Sequence, residues 1–201
     1  MKPVPTVTFL PASLGRGKTK ISGGKSVVVQ WLEKLDTPPL SEIFRGATDR
    51  DSGNAPTDRV VVLGRYSIEN YYLDPFVVYG VLLDQGTAPP IAGVDVSQGQ
   101  EHLVRSLPAE CLQRIVDTVA SAVLSKLTSP AAERESVTFT NGVEIKYPKW
   151  MLMSRGHDLL PIYQEVFGGP GILSPARLSR SFRRVRLVPA DLAEMMERLQ
   201  S

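Results

Sequence analysis

Two aspartates spaced two residues apart, Asp49 and Asp51, close an apolar, strand-like run that begins near Phe44. In an extended segment side chains alternate faces, so the two carboxylates point to one side and Arg50 to the other. Hard, oxygen-seeking cations such as Mg²⁺ use this arrangement, because the ion takes anionic oxygens while keeping several waters. An acidic surface loop uses the same residue types, so the spacing alone leaves both readings open. A second apolar run over residues 60–63 leads into Arg65, Tyr66, Ser67, Ile68, Glu69, Asn70, Tyr71, Tyr72, Leu73, Asp74 and Pro75.

The remaining chemistry-bearing patterns are weaker. Residues 12–19 fit a loose phosphate-loop pattern ending in Lys18 and Thr19, with Ala12 in place of the first glycine. A true phosphate loop opens a continuous helix whose N-terminal amides hold the phosphates, and Gly23 and Gly24 would interrupt that helix within a turn. His102 and His157 are the only histidines, and neither has zinc-ligand spacing or a triad partner. Arg177, Arg180, Arg183, Arg184 and Arg186 gather positive charge near the C-terminus. Such a cluster can face phosphates, form a solvated surface or be used in internal ion pairs.

The elements that must position these residues follow from periodicity. Residues 6–10 alternate as a first strand stopped by Pro11, and residues 25–35 read as a helix with Val27, Val28, Trp31, Leu32 and Leu35 on one stripe. Residues 41–48 and 59–63 read as two central strands, so the order is strand, helix, strand, strand, with a helical crossover that favours parallel pairing. Pro75 suits the first turn of the apolar helix that follows. The Gly- and Pro-punctuated residues 85–99 read either as a surface loop or as a boundary between an α/β domain over residues 1–95 and a helix-rich extension over residues 96–201, the two parts packing separately or as one unit. Residues 108–127 form the clearest amphipathic helix, through Leu112, Ile115, Val116, Val119, Val123 and Leu124. Asn141 and Gly142, between residues 137–139 and 143–147, predict a hairpin with a type I′ turn. Helices are expected over residues 158–167 and 190–199.

Bulk properties set the class. The 201 residues can bury a full core, and 42% hydrophobic and 22% charged residues with a net charge of +2 are ordinary for a globular chain. The single cysteine, Cys111, sits on the apolar side of its helix, so no disulfide framework exists and a reducing compartment is expected. Apolar runs are too short to span a bilayer and the N-terminus lacks a signal-peptide core, which gives a cytoplasmic protein as the expectation.

The stretch from Phe44 to Asp51, with Val62 to Pro75, resembles the Toprim domains of the overcoming-lysogenization-defect (OLD) nuclease group and the related DUF4435 proteins. Residues 9–11 with 23–26, Tyr147 to Trp150 and Arg155 to Leu160 extend the resemblance more weakly over most of the chain. It implies a Rossmann-like, mostly parallel α/β sheet with a helix-rich C-terminal extension and a small β-hairpin. It also implies a Mg²⁺- or Mn²⁺-dependent nuclease acting on DNA or RNA, in phage-defence systems that pair it with an ABC-type ATPase. On that carry-over Asp49 and Asp51 are the metal ligands, Glu69 an additional acid near the metals and Arg65 a phosphate-facing cation.

One departure qualifies the expectation. Toprim enzymes carry a glutamate at the end of a strand preceding residue 6, in a Val-Glu-Gly type of segment, and this sequence has none there, so residues 1–95 are expected as an incomplete Toprim-like domain. The expected function is therefore a Toprim-like nuclease domain that is incomplete or inactive as this chain. The alternative is a non-enzymatic protein- or nucleic-acid-binding module that keeps the fold. A sheet without its first strand would leave an edge open to self-association.

Overall fold

A computed structural model describes residues 25–51, 54–128 and 130–200 as a mixed α/β protein. The chain forms two compact units, residues 1–64 with 191–201 and residues 65–190. The expected strand at residues 6–10 and the loop at residues 12–19 lie outside the described residues.

In the first unit, α1 (Lys25–Lys34) packs on β1 (Gly46–Thr48), which pairs in parallel with β2 (Val60–Val62) in the register Gly46 to Val60. The helix approaches so closely that a Cβ on Gly46 would meet the side chains of Val28 and Leu32, the latter at 3.1 Å. Arg59 ties the start of β2 to the end of α1 by donating to the carbonyls of Leu32 and Leu35, both at 3.2 Å, and to Asp36 Oδ1 at 2.6 Å. A basic side chain there satisfies carbonyls that the helix end leaves orphaned. The strand expected over residues 41–48 is shorter than its sequence pattern. Thr37 O accepts from both Leu40 N and Ser41 N, so the chain winds into the short helix α2 (Leu40–Ile43) before it extends. The unit is completed by α9 (Ala190–Gln200), whose Asp191 lies against Gly64: a Cβ there would come within 2.9 Å of the Asp191 Cβ.

The second unit is built around α4 (Pro75–Asp84), in which every residue from Pro75 to Leu83 is buried. A helix apolar all round belongs inside a core. Its start is fixed by Asp74, whose side chain accepts from Phe76 N, and by Pro75 at the first turn, as expected. Packed on it are α5 (Ala109–Leu124), through Leu112, Ile115, Val116, Val119 and Val123 of the predicted stripe, whose last member Leu124 is instead exposed, and α8 (Pro175–Val185). The antiparallel hairpin of β3 (Arg134–Thr138) and β4 (Glu144–Pro148) adds Val137, Ile145 and Tyr147 to the same core. The short helix α3 (Glu69–Tyr72), α6 (Lys149–Met153), α7 (Gly156–Val166) and a 3₁₀ turn over Glu101–Ser106 surround it.

Two expectations are decided here. The hairpin forms, but its turn is not type I′. Among non-glycine residues described, Arg186 alone has positive φ, so Asn141 does not, while Gly142 sits at φ +83°. Gly142 N donates to Phe139 O and Phe139 N to Val143 O, which is a three-residue loop closed by a left-handed glycine. The units divide at Gly64 and Arg65, and of the two readings of residues 85–99, boundary or surface loop, the loop is the one seen. The Gly/Pro loop is held to its own unit instead, by Gln98 Nε2 to Asp84 O (2.8 Å), Arg114 Nη1 to Ala92 O (2.6 Å) and Ile91, Val94 and Val96 against the core.

Candidate functional site

Asp49 and Asp51 lie in the first unit, just past the C-terminal end of β1, and both are exposed. Arg50 between them donates to Gly64 O at 2.7 Å. Asn54 organises the loop, its side-chain amide donating to Asp49 O (2.7 Å) and to Asp51 Oδ1. Thr48, the preceding residue, is buried with an unpartnered hydroxyl, but it shares the strand face of Gly46, turned toward α1. Its oxygen is therefore not part of the aspartate pair.

Arg65 and Glu69 belong to the second unit, so the four candidate residues divide between the units as two and two. Arg65 is 3% exposed. Its Nη2 pairs with Asp74 Oδ2 at 2.8 Å and its Nη1 donates to Asn70 O at 2.9 Å. The guanidinium carbon lies 4.6 Å from the centre of the Tyr71 ring and 5.6 Å from that of Tyr147, within range for cation–π attraction. Tyr147 Oη donates to Asp74, 3.2 Å from each carboxylate oxygen. Burial raises the Asp74 carboxyl above its ordinary range, against the opposing pull of Arg65, the Phe76 N–H and Tyr147. Burial, followed by the Asp74 charge, likewise lifts the Tyr147 phenol well above its usual value.

Asn70 completes the arrangement. Its Oδ1 accepts from Ser67 N (3.0 Å) and Ser67 Oγ (2.9 Å), and its Nδ2 donates to Met151 O and Ser154 O, both at 2.9 Å. Arg65, Ser67, Asn70 and Tyr71 of the run over residues 65–71 are thus a buried, hydrogen-bonded polar core, in which Asn70 fastens α3 to the end of α6. Glu69, at the start of α3, is half-buried, and Gly156 fits against it: a Cβ there would come within 2.6 Å of the Glu69 Cβ. Asn70, Asp74 and Tyr147 were not among the expected site residues. Asp74 had a readable signal, since Asp-Pro before an apolar run is a helix start. Tyr147 had none, because its partner is 73 positions away in sequence.

A different surface carries the unpaired charge. On α8, Leu178, Ser181 and Val185 face the core, and Ser181 Oγ donates to Val77 O at 2.7 Å. That fixes the opposite face outward. Arg177, Arg180 and Arg184, at i, i+3 and i+7, form a row with Arg183 beside it. Arg184 is tied to Asp84 (2.7 Å) and to the buried Glu101 (3.5 Å), whereas Arg177, Arg180, Arg183 and Arg186 make no ion pair among the described residues. No acidic residue occurs between positions 168 and 190.

Comparison of the chain with protein-family models, with curated proteins and with solved structures gives no match. The fit of a divalent ion therefore rests on the residues themselves. No three or more His, Cys, Asp or Glu gather to hold a metal among the described residues. The others, residues 1–24, 52, 53, 129 and 201, contain none of these four types. Asp51 is bonded to Asn54 and the buried Asp74 is paired with Arg65, which leaves the exposed Asp49 and Asp51 as the two carboxylates that would face a divalent ion, alongside waters.

Proposed function

We propose that this chain is a nucleic-acid-binding module that holds phosphate groups on the outer face of α8, on a Toprim-like, Rossmann-like fold of nuclease ancestry. The observation that carries the reading is the arginine face itself: four guanidinium groups that make no ion pair among the described residues, on or beside one helix, with no acid between positions 168 and 190 and the opposite helix face anchored in the core. Each phosphate neutralised releases condensed counterions, so four contacts to a single strand give a slope of about −3 in log K against log salt.

Fluorescence anisotropy of labelled DNA and RNA strands across a salt series tests it. The triple variant Arg177→Ser/Arg180→Ser/Arg183→Ser should melt like the parent and lose about 2 from that slope. Salt-independent binding, or a slope unchanged in the variant, overturns the reading. A second reading, a metal-dependent phosphodiesterase, has one observation in its favour. Asp49 and Asp51 are exposed beyond the C-terminal end of a strand paired in parallel, where open α/β sheets place their ligands. Strand cleavage on adding Mn²⁺, abolished by Asp49→Ala/Asp51→Ala, would establish that reading instead.

A further inference from the structure

We infer that the nucleic acid held by α8 is single-stranded and that Tyr72 is a platform on which one of its unpaired bases stacks; this rests on the phosphate-binding reading above. The two adjacent tyrosines of α3 have opposite fates. Tyr71 is 2% exposed and packs against Arg65, whereas Tyr72 is 37% exposed. The Tyr72 ring lies 6.2 Å from that of Phe182 on α8, tilted by 59°, so its position is fixed by the arginine-bearing helix itself. Ile68, one turn earlier on the same side of α3, is 43% exposed.

The cations border this apolar strip. Arg183 follows Phe182 directly. Arg186 stands one turn on, where its N–H donates to Phe182 O (3.3 Å), its Nε donates to Arg183 O (3.4 Å) and its backbone takes φ +53° to end the helix. Glu69 is the acid of α3, and its Cβ lies against Gly156 of α7, whereas the Tyr72 ring lies against α8.

An exposed aromatic ring against Phe182, with Arg183 and Arg186 next to that residue, is of use to a polyanion whose bases show a free face. A duplex keeps its base faces stacked inside and shows such a surface phosphates, sugars and groove edges but no free base face, so Tyr72 would add no stacking to duplex binding. A single strand gains both terms, and stacking tolerates any base because every base has a π-face. A protein partner fits less well, since a stable interface needs roughly 20–30 residues a side and this strip offers three apolar side chains with Arg183 and Arg186 next to them.

The test compares a labelled oligothymidylate with a duplex of equal length at matched salt. Tyr72→Ala should weaken oligothymidylate binding about tenfold and leave duplex binding unchanged, while Tyr72→Phe keeps the parent affinity. In the parent chain, ultraviolet crosslinking to a bromodeoxyuridine-substituted strand should map to Tyr72, a readout that needs no variant to fold. Equal loss on both polymers, loss on neither, or crosslinks mapping elsewhere overturns the stacking inference and leaves the phosphate reading standing. A parent dimer that dissociates in Tyr72→Ala with strand affinity unchanged overturns it in favour of a protein contact. Salt-sensitive binding of neither polymer overturns the phosphate reading itself.

Discussion

The guanidinium of Arg65 occupies a closed position between two tyrosine rings and a carboxylate, 3% exposed, with Asp74 at 2.8 Å. Removing two charges from water is expensive, and the pair is tolerated because almost every remaining donor and acceptor is used: Asn70 O, Phe76 N and Tyr147 Oη all take part. Breaking such a pair from one side leaves the other charge buried and unpaired. Arg65→Met is therefore expected to destabilise the protein by about 3–5 kcal/mol, measured by urea unfolding, and a loss no larger than that of a surface substitution would show that the pair is not structural. The resemblance implies a phosphate-facing Arg65, and residue types cannot separate that role from a buried one, because arginine, aspartate and tyrosine build both binding sites and buried networks. Only the fold says which side of the surface a side chain is on.

At the scale of elements, the decisive contact is between α4 and α8. A Cβ at Gly80 would meet Ser181 Oγ and come within 2.7 Å of Val185 Cγ2, and Ser181 cannot turn aside without losing its hydrogen bond to Val77 O. Alanine favours a helix over glycine by about 1 kcal/mol, yet overpacking costs about 1–3 kcal/mol and here would also break that bond. Gly80→Ala should thus lower the melting temperature, and a raised one would refute this account of the helix contact. The same contact turns the arginines of α8 outward. The buried stripe of α5 and the Asp74–Pro75 start of α4 were legible because they repeat at helical spacing or carry a capping signature. The helical character of residues 175–185 was masked by its arginines, since only three of its residues are fully buried.

At the scale of the whole molecule, every member of the buried apolar cluster, from Leu73 to Leu187, falls within residues 65–190. A unit holding a complete core of its own should fold by itself. The fragment 65–190 is expected to unfold in one cooperative transition by circular dichroism, and a broad, non-cooperative profile would refute the division. The sequence by itself determined the mixed α/β class, most helix positions, the hairpin and the burial of Cys111, because these depend on local periodicity and turn chemistry. Its spacing also singled out Asp49 and Asp51, while Arg65 and Glu69 were named only by the resemblance. The tertiary structure alone decided their surroundings. It buried Arg65 against Asp74 and Tyr147, left Asp49 and Asp51 exposed, and set Tyr72 against Phe182 of α8. Contacts such as Tyr147 to Asp74 join residues far apart in the chain, and no local pattern records which distant partner will neutralise a charge or cover a ring.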